Sequence, residues 1–160
     1  TINPLNFYAL SKATVDYWVL DNMDRFEQVQ GFRYFNVYGE GEEHKGDQAS
    51  PISKFTKQAK ETKVIKIFED SEYAFRDFVC VDDVVDVVLD NTAGSGIYDV
   101  GTGNPISFLE IAELIAKKEG AEIEVIPFPK HLEGKYQEYT CADTSWYPHD
   151  YVEVKAYLHL

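Results

Sequence analysis

The chain lacks the features that mark several common classes of protein. It has only two cysteines, Cys80 and Cys141, and neither belongs to a Cys-x-x-Cys motif or a mixed Cys/His cluster. Its four histidines have no spacing typical of metal ligands. It has no signal-peptide pattern and no apolar run near the ~18 residues of a membrane span. We therefore expect a reduced, cytoplasmic protein with neither a metal centre nor a membrane anchor.

Basic residues are also scarce, with 15 Lys and Arg against 28 Asp and Glu, for a net charge of −13. Such a surface repels phosphate backbones, which argues against nucleic acid as a partner. The net negative charge is still compatible with a small ligand that carries a nucleotide, since a few well-placed basic side chains suffice to bind it. The 160 residues, 44% of them hydrophobic, are enough for one domain with a core and short for two.

Hydrophobic periodicity predicts helices and strands in alternation. Asn6, Asp82 and Ser107 are predicted helix caps, and Glu110 would complete a capping box with Ser107. Helices are predicted at 8–23, 51–61, 82–89, 107–118 and 151–160, and strands at 29–37, 64–68, 77–81, 97–100 and 122–126. The first helix would bury a stripe that contains Val15 and Trp18. This alternation indicates an α/β protein with a largely parallel sheet.

A tyrosine and a lysine lie four residues apart near the start of the chain. Tyr8 and Lys12 would share one face of the first helix. An ammonium beside a phenol favours the phenolate, which suits a general acid/base. The spacing by itself is more typical of a solvated helix face.

Further segments with recognisable motifs follow this pair in order. They are 6–12, 33–39, 68–71, 76–84 and 96–103. Together they resemble the C-terminal half of the nucleotide-sugar epimerases and dehydratases, an extended short-chain dehydrogenase/reductase family, over residues 3–143. The His-Lys-Gly loop at 44–46 and the segments 126–129 and 134–137 point within that family to an enzyme of ADP-heptose, a lipopolysaccharide precursor.

The resemblance implies the C-terminal part of an NAD(P)-binding Rossmann-like fold with a small substrate-binding region. It implies an isomerase that uses NADP, acts on a nucleotide-sugar and forms a homo-oligomer when full length. The Gly-rich dinucleotide fingerprint of the family is missing, because Gly101-Thr102-Gly103 is followed by Asn104-Pro105 and is better interpreted as a loop. The chain also starts at Thr1. We therefore expect residues 1–160 to be one partial domain without the N-terminal dinucleotide-binding half.

The resemblance also implies roles for three residues in the reaction. Tyr8 would be the acid/base on the sugar hydroxyl or ketone, and Lys12 would bond the nicotinamide ribose. Lys45 would contact the cofactor and act as the second catalytic group, on the other face of a transient ketone. The alternative for Lys45 is a solvated lysine that Glu42 and Glu43 hold protonated.

Other positions would contact the cofactor or the substrate. Val37 would meet the cofactor and Asn36 the substrate, with plain packing at a strand end as the alternative. Arg76 would clamp the diphosphate, unless it forms a surface ion pair with Asp77 or Glu72. The remaining substrate positions are Asp47, Lys54, Phe68, Glu69, Asp70, Ser71 and Tyr136. The alternative is a polar turn at 68–71 and core packing for Tyr136, and the residue types at 47 and 54 differ from the family pattern.

Two other functions fit the same residues. One is a different enzyme of the family, such as a UDP-hexose 4-epimerase or a nucleotide-sugar dehydratase. The other is a non-catalytic remnant that binds a nucleotide-sugar or a partner protein.

Overall fold

The computed structural model describes residues 4, 6–130 and 137–160. Helices and strands alternate along it, with a one-turn helix near the end. The elements are α1 (Phe7–Asp21), β1 (Gln30–Tyr34), β2 (Asn36–Tyr38), α2 (Pro51–Thr62), β3 (Val64–Phe68), β4 (Phe75–Arg76), β5 (Phe78–Cys80), α3 (Val81–Asp90), β6 (Gly96–Val100), β7 (Ile106–Ser107), α4 (Phe108–Glu119), β8 (Glu122–Ile126) and α5 (Val154–Tyr157). Short 3-10 turns lie at Met23–Arg25 and Glu43–Gln48.

The strands pair mostly in parallel. β1 pairs with β6, β2 with β5 and β3 with β8, all parallel, whereas β4 and β7 are antiparallel. This confirms the α/β class. The single strand predicted at 29–37 is wrong, because the chain changes partner at Phe35. The Phe35 N–H donates to the Val100 carbonyl at 3.0 Å, and the Asn36 N–H donates to the Asp77 carbonyl at 3.0 Å.

Two of the three predicted helix caps are confirmed. The Asn6 side chain accepts from the Ala9 N–H at 2.9 Å, and the Ser107 hydroxyl accepts from the Glu110 N–H at 3.1 Å. The cap predicted at Asp82 is wrong, since α3 begins at Val81 and Asp82 lies in its first turn. A carboxylate there is still favourable, because it faces the positive end of the helix dipole. The final helix is also shorter than predicted, covering only Val154–Tyr157.

The core lies between α2, α4 and the β3–β8 pair. Its members are apolar side chains spaced for one helix face or for alternate strand positions, and the most deeply buried are Ala59, Ile65, Ile111, Ala112 and Ile115. The C-terminal segment closes this core with Val154 and Leu158. The buried Tyr38 hydroxyl donates to the Val152 carbonyl at 3.0 Å, which attaches the same segment to β2.

Most of the apolar surface of α1 is exposed. Ala13 and Val19 are buried, whereas Val15 and Trp18 of the predicted stripe are more than half exposed. Arg33 of β1 attaches the helix, because its Nε donates to Asp16 at 2.7 Å. Among the described residues, none of the helices is both long and apolar enough to cross a membrane.

Candidate functional site

Tyr8 and Lys12 lie side by side at the start of α1. The Lys12 ammonium is 5.2 Å from the centroid of the Tyr8 ring, within the range of a cation–π contact. The Tyr8 side chain is 71% exposed, which leaves the phenol oxygen accessible to a ligand. The spacing of four residues therefore produces the expected pair, and its catalytic role stays a prediction.

Strand β2 brings the next two predicted residues beside β5. Asn36 lies opposite Phe78, and Val37 lies opposite Val79, in parallel register. Both are half-buried. The structure thus gives Asn36 the first position and Val37 the middle position of a short parallel strand, and their contacts with substrate and cofactor stay predictions.

Lys45 lies in the turn Glu43–Gln48 that follows β2. Its ammonium is 3.4 Å from the Glu42 carboxylate, and its side chain is 44% exposed. Gly46 comes next with φ +52° and ψ −121°, a conformation that strongly favours glycine. The same turn contains Asp47, whose carbonyl accepts from the Lys54 ammonium at 3.3 Å. Lys45 and Asp47 therefore share one loop, which touches α2 through Lys54.

A cavity of about 550 Å³ opens between α2, the end of β3 and the start of α4. This volume is typical of sites for small molecules. Five of the predicted substrate residues line it, namely Lys54, Phe68, Glu69, Asp70 and Ser71. The other predicted site residues that the structure describes are not among its lining residues.

Local geometry explains the shape of the cavity wall at 68–71. Asp70 has φ +62°, a left-handed conformation that aspartate tolerates, and the Ser71 hydroxyl donates to the Phe68 carbonyl at 2.6 Å. The turn directs the chain back to β4. The rings of Phe68 and Phe128 meet edge to face with centroids 5.6 Å apart. Such aromatic faces suit a flat base, and Phe128 was not among the predicted site residues.

Arg76 is buried, with only 7% exposure. Its guanidinium donates to the Phe75 carbonyl at 2.8 Å and to the Gln137 carbonyl, and it lies 5.7 Å from the centroid of the Phe108 ring. Phe108 lines the cavity, so the cation is one side chain away from it. Because the guanidinium is buried, this position does not match the alternative of an ion pair at the surface. The binding of a diphosphate by Arg76 stays a prediction. Tyr136 lies outside the described residues.

Asp77 is a structural residue that the sequence analysis did not assign. Its carboxylate is fully buried and accepts four hydrogen bonds. The donors are the Thr102 N–H and hydroxyl, both at 2.7 Å, and the N–H groups of Gly103 and Ala142, both at 2.9 Å. Asp77 thereby holds the Gly-Thr-Gly segment in place as a loop before α4, as the sequence predicts. The sequence marks Asp77 only by its position, since it lies between the basic Arg76 and the apolar strand β5.

Two curated relatives are similar to most of the chain. The ADP-L-glycero-D-manno-heptose-6-epimerase of Alkalilimnicola ehrlichii is 45% identical over 89% of this chain and 48% of its own length. The enzyme of the same name from Brachyspira hyodysenteriae is 47% identical over 88% of this chain and 46% of its own length. The chain thus spans about half the length of the curated relatives it matches.

Comparisons of fold and family agree with these relatives. The crystal structure of the Helicobacter pylori ADP-L-glycero-D-manno-heptose-6-epimerase superposes with a TM-score of 0.79 at 28% identity, covering 98% of this chain and 50% of that one. The model of the NAD dependent epimerase/dehydratase family matches residues 1–101. The chain therefore belongs to the NAD dependent epimerase/dehydratase family.

Proposed function

We propose that the protein containing this chain is a nucleotide-sugar epimerase that inverts C6 of ADP-D-glycero-D-manno-heptose. The observation that carries the proposal is the identity of 45% and 47% to two enzymes named for this epimerisation. The cavity lined by residues 68–71 supports it with a site of suitable size. In this proposal residues 1–160 are one partial domain, another part of the protein supplies the dinucleotide-binding half, and the whole protein is a homo-oligomer.

Tyr8 is the base for the first step of the proposed reaction. When C6 is oxidised to a ketone, its hydrogen leaves as a hydride and the hydroxyl loses a proton, which Tyr8 takes. The exposed Tyr8 phenol and the adjacent Lys12 ammonium are hydrogen-bond donors that fit the ribose end of a nicotinamide dinucleotide. Lys12 would donate a hydrogen bond to that ribose. NADP, when bound, supplies the acceptor and donor of the hydride. Val37, in the middle of β2, would contact the same group.

Lys45 is the acid for the return step. Epimerisation requires hydride to return to the opposite face of the same carbon, and the ketone oxygen then needs a proton. A protonated lysine is a suitable donor, and its ammonium lies 3.4 Å from the Glu42 carboxylate, which helps to place it. Asn36 would orient the sugar from the start of β2.

The nucleotide part of the substrate is assigned to the cavity. The Phe68–Phe128 pair offers aromatic surface to adenine, and Lys54 contributes a cation at the rim. Arg76, behind Phe108, supplies a guanidinium for the diphosphate. Asp47 and Tyr136 complete the proposed substrate contacts.

The test is turnover by the full-length protein. We expect epimerisation of ADP-heptose and none of UDP-galactose. Tyr8→Phe and Lys45→Ala should each lower kcat by at least about 100-fold, the lower end of the range for a general acid or base. Identifying the dinucleotide released on denaturation would distinguish NADP from NAD.

Tyr17→Phe is the matched control, because Tyr17 is another exposed tyrosine of α1. It should leave kcat unchanged. Turnover of UDP-galactose in preference to ADP-heptose would refute the substrate assignment. Full activity of Lys45→Ala would refute the second acid.

A further inference from the structure

Glu42 is the only buried residue within 40–48, a range that the structure describes completely. It is 6% exposed, whereas its neighbours from Glu43 to Gln48 are all exposed. Burial of a carboxylate is unfavourable unless hydrogen bonds and opposite charge compensate it. A buried charge in an otherwise exposed loop therefore requires a specific reason.

The partners of Glu42 supply that compensation from two directions. One carboxylate oxygen accepts from the Ser50 N–H at 3.1 Å, and the other accepts from the Ser50 hydroxyl at 2.6 Å. The first oxygen is also 3.4 Å from the Lys45 ammonium. Glu42 thus connects Lys45 to Ser50.

Ser50 is the N-cap of α2. Its hydroxyl oxygen also accepts from the Ser53 N–H at 3.2 Å, in the first turn of the helix. The helix packs into the core through Ile52 and Phe55. Glu42 therefore attaches the Lys45 loop to the start of a helix that the core holds in place, and the Lys45 N–H closes the turn on the Glu42 carbonyl at 2.9 Å.

This ion pair contributes little to folding stability, because the lysine side chain is 44% exposed and solvent screens the attraction. Its main consequence is geometric. A lysine has a flexible four-carbon stem, and a fixed carboxylate restricts where the ammonium lies. Catalysis is sensitive to such placement, since a displacement of about 1 Å is able to lower a rate by about 100-fold.

We propose that Glu42 is a positioning residue that holds the Lys45 ammonium, and the loop containing it, at a fixed place relative to the start of α2. The inference rests on the proposed function in one respect, namely that Lys45 is the acid of the return step. The attachment of the loop is independent of that role.

The experiment compares Glu42→Gln, Glu43→Gln, Lys45→Ala and the double variant E42Q/K45A in the full-length protein. Glu43→Gln is the matched control, because it removes the same charge from the adjacent, exposed position. We expect Glu42→Gln to lower kcat for ADP-heptose by about 10- to 100-fold with KM within about twofold. Glu43→Gln should match the wild type, and E42Q/K45A should be no slower than Lys45→Ala.

Two outcomes would overturn the inference while leaving the proposed function intact. With the kcat of Lys45→Ala lowered but still measurable, a kcat of Glu42→Gln equal to that of Glu43→Gln shows that Glu42 does not act on Lys45. A further loss in E42Q/K45A of the same size as in Glu42→Gln alone shows a merely structural role. Both results are compatible with Lys45 as the acid of the return step.

A second readout does not depend on activity. A lysine-specific protease cleaves after Lys45, and we expect Glu42→Gln to be cut there at least about tenfold faster than Glu43→Gln, because the loop is released. Equal cleavage rates would overturn the attachment. If Lys45→Ala is active but cleavage is accelerated, the proposed acid is wrong and the attachment of the loop stands.

Discussion

Asp77 offers the sharpest test of how the fold is held together around the site. Its buried carboxylate accepts four hydrogen bonds, three of them from backbone N–H groups of residues 102, 103 and 142. Asp77→Ala leaves these donors without their acceptor. An unsatisfied buried donor costs about 1–3 kcal/mol. Thr102 and Gly103 are partly or fully exposed and water is able to reach them, so the buried Ala142 N–H dominates the loss.

We therefore expect Asp77→Ala to lower the free energy of unfolding by about 3 kcal/mol. Asp77→Asn keeps the size of the side chain but turns one acceptor into a donor. If the amide oxygen keeps the two bonds from Thr102, the NH₂ group faces the N–H groups of Gly103 and Ala142. The expected loss is about 2 kcal/mol.

Urea unfolding followed by tryptophan fluorescence measures these changes, since Trp146 packs on Tyr98 at a centroid distance of 4.6 Å. Asp86→Asn is the control, because Asp86 is an exposed carboxylate on α3, and it should change the free energy by less than about 0.5 kcal/mol. A loss below about 0.5 kcal/mol for both Asp77 variants would refute the account of the carboxylate as the acceptor that holds this loop.

Three further predictions concern the core and the thiols. Burial raises the pKa of the Tyr38 phenol and of the Cys80 thiol, so folding favours their protonated forms. The free energy of unfolding, measured by urea titration, should therefore fall as the pH rises above about 8.5, and at pH 11 the fall should be smaller in Tyr38→Phe. A thiol reagent should modify the exposed Cys141 at least about tenfold faster than the buried Cys80 in the native protein, and equal rates would contradict the packing of β5. Leu158→Ala should lower the unfolding free energy by about 2–4 kcal/mol, because Leu158 is 4% exposed in the core, whereas a change below about 1 kcal/mol would show that the C-terminal segment does not close it.

Local signals in the sequence predict most helices and strands of this protein. The caps at Asn6 and Ser107 and the strands Val64–Phe68 and Glu122–Ile126 agree with the structure, because short-range hydrogen bonds and alternation determine them. The prediction of one strand at 29–37 was wrong, because two short strands joined at Phe35 have the same hydrophobic pattern as one longer strand. Only the pairing with β6 and β5 separates them.

The candidate site shows the same division. Spacing along one helix predicts that Tyr8 and Lys12 are neighbours, and they are. The cavity is assembled from segments far apart in the chain. The segment 126–129 was therefore noted only as a family motif, and Phe128 was not predicted beside the turn at 68–71. Arg76 was predicted at a site or on the surface, and its burial against Phe108 follows from the position of α4.

The sequence by itself determined the α/β alternation, the helix caps at Asn6 and Ser107, the acidic composition and the resemblance to nucleotide-sugar epimerases, because each depends on composition, local spacing or motif order. Only the tertiary structure decided which carboxylates are buried and what they hold. Asp77 meets donors 25 to 65 residues away, and Glu42 meets the cap of the next helix. Such contacts form only after the chain has folded, because burial and pairing depend on which distant segments come together.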